Sequence, residues 1–204
     1  MDLHAPAGPL RSLKDFLLHI GVVTIGILIA LGLEQVVEAR HRARIAAEAV
    51  AGFQREIADN VAQVQEVVAE MRRLRTQSQA EIAALLAPPA HGPAPKINYP
   101  GSHFDLVSSA SWDTAIATQA LIDLPYDSVK RFAEAYGVLH LFQDQERVGL
   151  GTWHDMHRFG DNAAALSAKQ RSELIEQLRL YESYTHLIED FGKDTVKVCQ
   201  RALE

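Results

Sequence analysis

From Phe16 to Leu33 the chain reads FLLHIGVVTIGILIALGL, eighteen residues without an Asp, Glu, Lys or Arg. As a helix this run rises about 27 Å, close to the roughly 30 Å of hydrocarbon in a bilayer. Val36 and Val37 add a turn if Glu34 and Gln35 snorkel, which sets the expected span at residues 16–37 behind a tail at residues 1–15. Inside the span, Thr24 can return its hydroxyl to a carbonyl one turn earlier, and His19 lies near an end. Two other readings compete. A helix buried in a soluble protein ordinarily carries some charge over such a length. A signal peptide cleaved after Ala30-Leu31-Gly32 should show a helix breaker or a polar stretch before the site, and none is present. The amphipathic pattern also continues through Glu34, Val37 and Arg40. The expectation is an uncleaved, single-pass transmembrane helix.

Basic residues flank both ends of the span, Arg11 and Lys14 on one side and Arg40, Arg42 and Arg44 on the other, so they hardly discriminate orientation. The short N-terminal tail favours a C-terminal domain outside, which in a Gram-negative bacterium means anchorage in the inner membrane with the domain in the periplasm. The chain has a net charge of −6, and its first 48 residues are balanced, so the excess acid lies beyond them. An acidic domain repels phosphate backbones, which argues against a nucleic-acid partner. The single cysteine, Cys199, cannot form an internal disulfide.

Past the span the apolar spacing becomes three and four. Val50, Ile57, Val64, Met71, Ser78 and Leu85 recur every seven residues, with Phe53, Asn60, Val67 and Leu74 three later and Val61, Val68 and Ile82 widening the stripe. This predicts a long amphipathic helix over residues 38–86, continuous with the span as a rod of about 110 Å from Leu13 to Leu86. Asn60 at an inward heptad position either fixes register with a partner helix or lies at the margin of a seam within the chain. Pro88-Pro89 stops the helix, and residues 87–107 read as a stiff Pro-rich connector. Residues 108–204 then read as an antiparallel helical bundle of three helices. The first, about Ser109–Leu124, carries Trp112, Ile116 and Leu121 on one side. The second, about Tyr126–Arg158, has Pro125 in its first turn, the stripe Val129, Phe132, Tyr136, Leu139, Gln143, Leu150 and Trp153, and weak points at Gly149 and Gly151. Gly160-Asp161-Asn162 marks a turn, and Ser167 with Gln170 forms a capping box before the last helix. That helix aligns Leu174, Leu178, Tyr181, Ile188, Phe191, Thr195 and Cys199. The fold class is all-α, apart from a short extended piece at Ile97–Tyr99.

Two stretches carry a resemblance. GVVTIGILIALGLEQVVEAR is similar to the N-terminal anchor of a group of bacterial membrane proteins with one transmembrane helix and a helical domain of unknown function, where a Val/Ile-Gly-Ile-Leu-Ile-Ala-Leu span leads into a Glu-x-Arg exit, here Glu38 and Arg40. SWDTAIATQALIDLPYDSVKRFAEAY resembles the Trp-x-x-Ala helix, the turn and the Tyr-ended helix of the same group. Some of its members have an aromatic residue where Val36 stands. The resemblance implies the architecture and no activity.

Candidate chemistry is sparse. His154 and His157 share a helix face, with Asp155 and His140 as companions, but two ligands on one helix do not make a metal site. Glu182 and His186 lack the Glu-x-x-His spacing of diiron bundles. Trp112-Asp113 reads as a core anchor rather than a ligand platform, and Cys199 on an apolar stripe as an inert thiol. There is no Gly-rich phosphate loop, HExxH or CxxC. No catalytic, cofactor-binding or metal residue is assigned. The expected role is non-enzymatic, a membrane-anchored scaffold or accessory subunit making protein–protein contacts, with a ligand-sensing bundle acting through a partner as the alternative. Gly26 and Ala30 form a small-xxx-small pair in the span, and a bundle of residues 108–204 should leave part of the Val50–Leu85 stripe uncovered. Both point to a homodimer, or to a complex with another membrane protein through a coiled coil.

Overall fold

The structure is a computed structural model and describes residues 13–87, 96–104 and 106–204. The expected tail up to residue 12, the Pro88-Pro89 stop and, of the Pro-rich connector, residues 88–95 and 105 lie outside the described residues. Four α-helices make up the described chain: α1 (Leu13–Leu86), α2 (Ala110–Ala117), α3 (Tyr126–Met156) and α4 (Ala168–Leu203). They fall into two compact units, Met1–Ala47 and Glu48–Glu204.

The first unit is helical from Leu13 onward and has no core of its own. Its large apolar side chains from Phe16 to Val37 are all exposed, at 42–69%. It is the one helix among the described residues long and apolar enough to cross a membrane. Beyond the apolar run, Arg42 pairs with Glu38 at 2.7 Å, one turn apart on a polar surface.

Apart from Ala46, the buried apolar side chains among the described residues lie in the second unit. The heptad spacing of α1 becomes a buried face there: Phe53, Ile57, Val64, Val67, Met71, Leu74, Ile82 and Leu85 are buried, and Ser78 satisfies its hydroxyl on the Leu74 carbonyl at 2.9 Å. The stripe expected to stay partly open is covered within the chain, with Val50 half-buried and everything from Phe53 to Leu85 on the stripe buried. The reason is length. Helices α3 and α4, of 31 and 36 residues, rise about 46 and 54 Å and match residues 48–86, while α2 and the segment before it add further cover. The stretch 48–86 is therefore one packed element of the second unit and not a separate arm.

Helix α4 runs back along α3, as Cys199 meets the Ala135 carbonyl, Phe191 meets Phe142 and Tyr184 meets the Glu146 carbonyl. Its start is the capping box read from the sequence, with Ser167 Oγ accepting from the Gln170 N–H at 3.2 Å and the Gln170 side chain accepting from the Ser167 N–H at 2.9 Å. Two glycines set how closely helices approach. A Cβ on Gly192 would meet Val68 and Phe142, and one on Gly149 would meet the Tyr184 ring. Gly149 is thus the hollow that receives a tyrosine from α4, and α3 runs unbroken through it instead of kinking.

Three boundaries differ from expectation. Helix α2 ends at Ala117 because Gln119 adopts φ +58, and the Ala120 and Gln119 N–H groups donate to the Ala115 and Ile116 carbonyls, closing a Schellman-type cap. Ile116 is therefore exposed while Ala115 and Ala120 are buried. Pro125 stands just before α3, its carbonyl accepting from Ser128 and Val129. Helix α3 gives way after Met156 to a 3₁₀ turn at His157–Phe159, and Gly160 at φ +69 turns the chain. The extended piece at Ile97–Tyr99 is only an isolated bridge from Lys96 to Asn162.

Candidate functional site

The later part of the connector and the residues before α2, 96–104 and 106–109, lie along the helices as a strap, held by buried Asn60 and Glu81 and by half-buried polar side chains around them. Glu81 accepts from the Asn98 N–H at 3.1 Å, and Gln77 donates to the Tyr99 carbonyl at 3.0 Å. Trp153 Nε1 donates to the Pro100 carbonyl at 2.9 Å, and Tyr181 Oη donates to the Gly101 carbonyl at 2.7 Å. Asn60 grips both sides of one residue, donating to the Ser108 carbonyl at 2.8 Å and accepting from its N–H at 2.9 Å. The seam reading of Asn60 is the correct one, and its partner is backbone of its own chain.

Glu56, which the spacing puts off the stripe, joins three elements. Its carboxylate accepts from Ser108 Oγ at 2.6 Å, from the Ser111 N–H at 3.0 and 3.2 Å, and from Tyr136 Oη at 2.7 Å. Burial pushes the acid up, but the hydrogen bonds from Ser108, Tyr136 and Ser111 outweigh it and hold the group below the usual carboxylate range. Burial and the same bond push the Tyr136 phenol well above its ordinary value. Next to this pair, Phe53, Trp112, Phe132 and Tyr136 form an aromatic cluster, with Trp112 stacked on Tyr136 at 5.3 Å. Trp112 is half-buried and serves as a core anchor at the edge of this cluster.

A second polar node ties α1 to α4. Buried Glu189 accepts from Arg72 at 2.8 Å, Arg75 at 2.7 Å and Lys193 at 2.8 Å. The Lys193 bond, set against burial and joined by the two arginines, holds its pKa at about 2. A folded-state value depressed below the ordinary 4.5 stabilises the protein above that pH, and the contribution drains away as pH falls from about 4.5 toward 2. Glu189→Gln is expected to lower stability at pH 7 by about 1.5–3 kcal/mol, as for a lost hydrogen bond to charged groups. The gap between its thermal melt and that of the unaltered protein should narrow as pH falls below about 4.5 and close only near pH 2, where Glu189 itself takes up a proton. A gap that stays constant from pH 5 to pH 2 would show that packing, and not charge, is lost.

The residues with candidate chemistry do not converge. His140, His154 and Asp155 are exposed on α3, and His157 packs on Trp153 at 4.3 Å and Tyr99 at 4.6 Å with Nδ1 2.9 Å from the Trp153 carbonyl. Glu182 accepts from Gln79 at 2.6 Å, while His186 lies 3.5 Å from Asp190. Asp113 accepts from Ser109 Oγ at 2.8 Å. Cys199 is fully buried, and burial pushes its thiol up to about 11, away from thiolate chemistry. Among the described residues no group of three or more His, Cys, Asp or Glu is placed to hold a metal ion. Two surface depressions, one at Arg75, Arg179, Glu182, Ser183 and His186 and one at the end of α4, are open to solvent.

What remains is apolar surface. On the second unit Leu141 and Val148 of α3 and Leu180 and Leu187 of α4 are 54–62% exposed, and each pair is seven residues apart, on one side of its helix. Tyr184 and Phe191, half-buried against Gly149 and Phe142, lie between them, so the four side chains flank the outer groove of the α3–α4 pair. The spacing of Leu180 and Leu187 was visible in the sequence, but only the register of α4 on α3 shows that they point outward. Compared with known proteins, the chain matches no family model, no curated protein and no solved structure.

Proposed function

We propose that this protein is a single-pass membrane protein of a bacterial inner membrane, a non-enzymatic scaffold or accessory subunit whose helical bundle lies outside and binds other proteins. The observation that carries the reading is the exposure of every large apolar side chain from Phe16 to Val37. Burying one such side chain is worth about 1.5–3 kcal/mol, so a run of this length in water is untenable and a bilayer accounts for it. The anchor of the bacterial membrane proteins that this chain resembles supports the same placement.

The contact surface in this reading is the outer groove of the α3–α4 pair, with Leu141, Val148, Leu180 and Leu187 facing a second copy or another membrane protein. It replaces the α1 stripe, whose apolar side chains are used inside the chain. Gly26 and Ala30 leave the span free to add a helix–helix contact. A photo-crosslinking residue at Leu187 in the native membrane is expected to give a discrete adduct with a copy of the chain or with one membrane protein, whereas the same residue at exposed Asp59 on α1 gives none. Absence of adducts from Leu141, Val148, Leu180 and Leu187 alike would contradict the scaffold reading.

A further inference from the structure

Helices α1 and α4 are bridged at two levels. At one, Gln79 donates to Glu182 at 2.6 Å; at the other, Arg72 and Arg75 donate to buried Glu189 at 2.8 and 2.7 Å. Glu182 and Glu189 are seven residues apart, so the bridges stand about 10 Å from one another along α4. Beside them the surface sinks into an open depression of about 370 Å³, lined by Arg75, Arg179, Glu182, Ser183 and His186. The four lining residues of α4 follow one another at steps of three, one and three, which puts them on one side of the helix.

The chain carries a net charge of −6, yet around this depression Arg72, Arg75, Arg179 and Lys193 outnumber Glu182, Glu189 and Asp190. Two of the acids are already spent. Glu189 accepts from three cations, and Asp190 lies 3.1 Å from Lys193 and 3.5 Å from His186. Arg75 gives one N–H to Glu189, which orients its guanidinium and leaves further donors over. Arg179 and Ser183 are exposed, and among the described residues neither has a hydrogen bond or an ion pair. Arg179 stands three residues from Glu182, a spacing at which opposite charges can pair on a helix, but Glu182 is bonded to Gln79 instead.

We infer that this depression binds the phosphate group of a small soluble molecule, with Arg75 and Arg179 as the charged donors and Ser183 and His186 as the polar ones. A guanidinium presents a planar fork of N–H donors that matches phosphate oxygens two at a time. Four donor groups around one depression suit the three terminal oxygens of a phosphate ester better than the two of a carboxylate. Glu182 is the lining group that opposes an anion, so the affinity it permits is in the millimolar range.

The test uses the full chain in detergent, carrying isotope-labelled arginine, with inorganic phosphate titrated against chloride at constant ionic strength. The Nε–H signals of Arg75 and Arg179 are expected to shift saturably, while that of exposed Arg131 on α3 stays in place. Glycerol phosphate should bind as well as inorganic phosphate, and acetate several-fold more weakly. Arg179→Ala should weaken phosphate binding several-fold. Glu182→Gln, which keeps the acceptor for Gln79 and removes the charge, should tighten it several-fold, a gain that damage to the fold cannot produce. Shifts that rise linearly with phosphate, that chloride reproduces or that both variants leave unchanged would overturn the site. Saturation by a short-chain phosphatidic acid in the same micelles, but by neither soluble phosphate, would overturn the assignment to a soluble ligand.

Discussion

Phe53→Ala is expected to destabilise the second unit by about 3–5 kcal/mol, the range for removing a large aromatic from a packed core. Phe53 is fully buried, and its ring lies 5.1 Å from Phe132, 5.5 Å from Trp112 and 6.2 Å from Tyr136. The truncation removes three aromatic pairings, each worth about 0.5–1.5 kcal/mol beyond burial, at the point where α1, α2 and α3 meet. Trp112→Ala should cost less, because Trp112 is only half-buried. Denaturant unfolding of the full chain in detergent, followed by tryptophan fluorescence, measures both. A loss below about 1 kcal/mol at Phe53 would mean that the cluster does not hold the three helices together.

The second large effect is expected at Glu56. Glu56→Ala leaves the Tyr136 hydroxyl, the Ser111 N–H and the Ser108 hydroxyl without their acceptor, and a loss of about 2–3 kcal/mol follows from hydrogen bonds to a charged group. The same change should loosen the strap, so limited proteolysis is expected to cut within residues 96–112 of the variant and not of the unaltered protein. Glu56 is held below its ordinary pKa, so its contribution is full above the usual carboxylate range and is lost as pH falls through it. Unchanged protease resistance would place the strap's stability in Asn60 and Tyr181 instead.

The two polar nodes also show where sequence reasoning stops. The buried face of α1, the capping box at Ser167 and the stripe of α4 were legible because each is a local pattern with helical spacing. Glu56 and Glu189 were not, because, Lys193 on α4 apart, their partners lie 52 to 117 residues away and nothing at their own positions announces a charge turned inward. Gly149 read as a weak point because a glycine in a helix lowers local propensity, yet the ring that fills its hollow comes from α4. The early end of α2 escaped notice because Gln119 occupies the left-handed position that glycine usually marks. The open coiled-coil stripe failed as an expectation for a different reason. Spacing gives the face of α1 but not the length of what will cover it, and α3 and α4 together with the strap proved long enough.

The central claim is that residues 16–37 cross a bilayer. Alkaline carbonate extraction of membranes from cells making the full chain tests it most directly, with the N-terminus of the recovered protein determined alongside. The account predicts that the protein stays in the membrane pellet with its N-terminal segment intact, because the exposed apolar run from Phe16 to Val37 cannot leave the lipid. Recovery in the soluble fraction, or a mature N-terminus at Leu33, would contradict it.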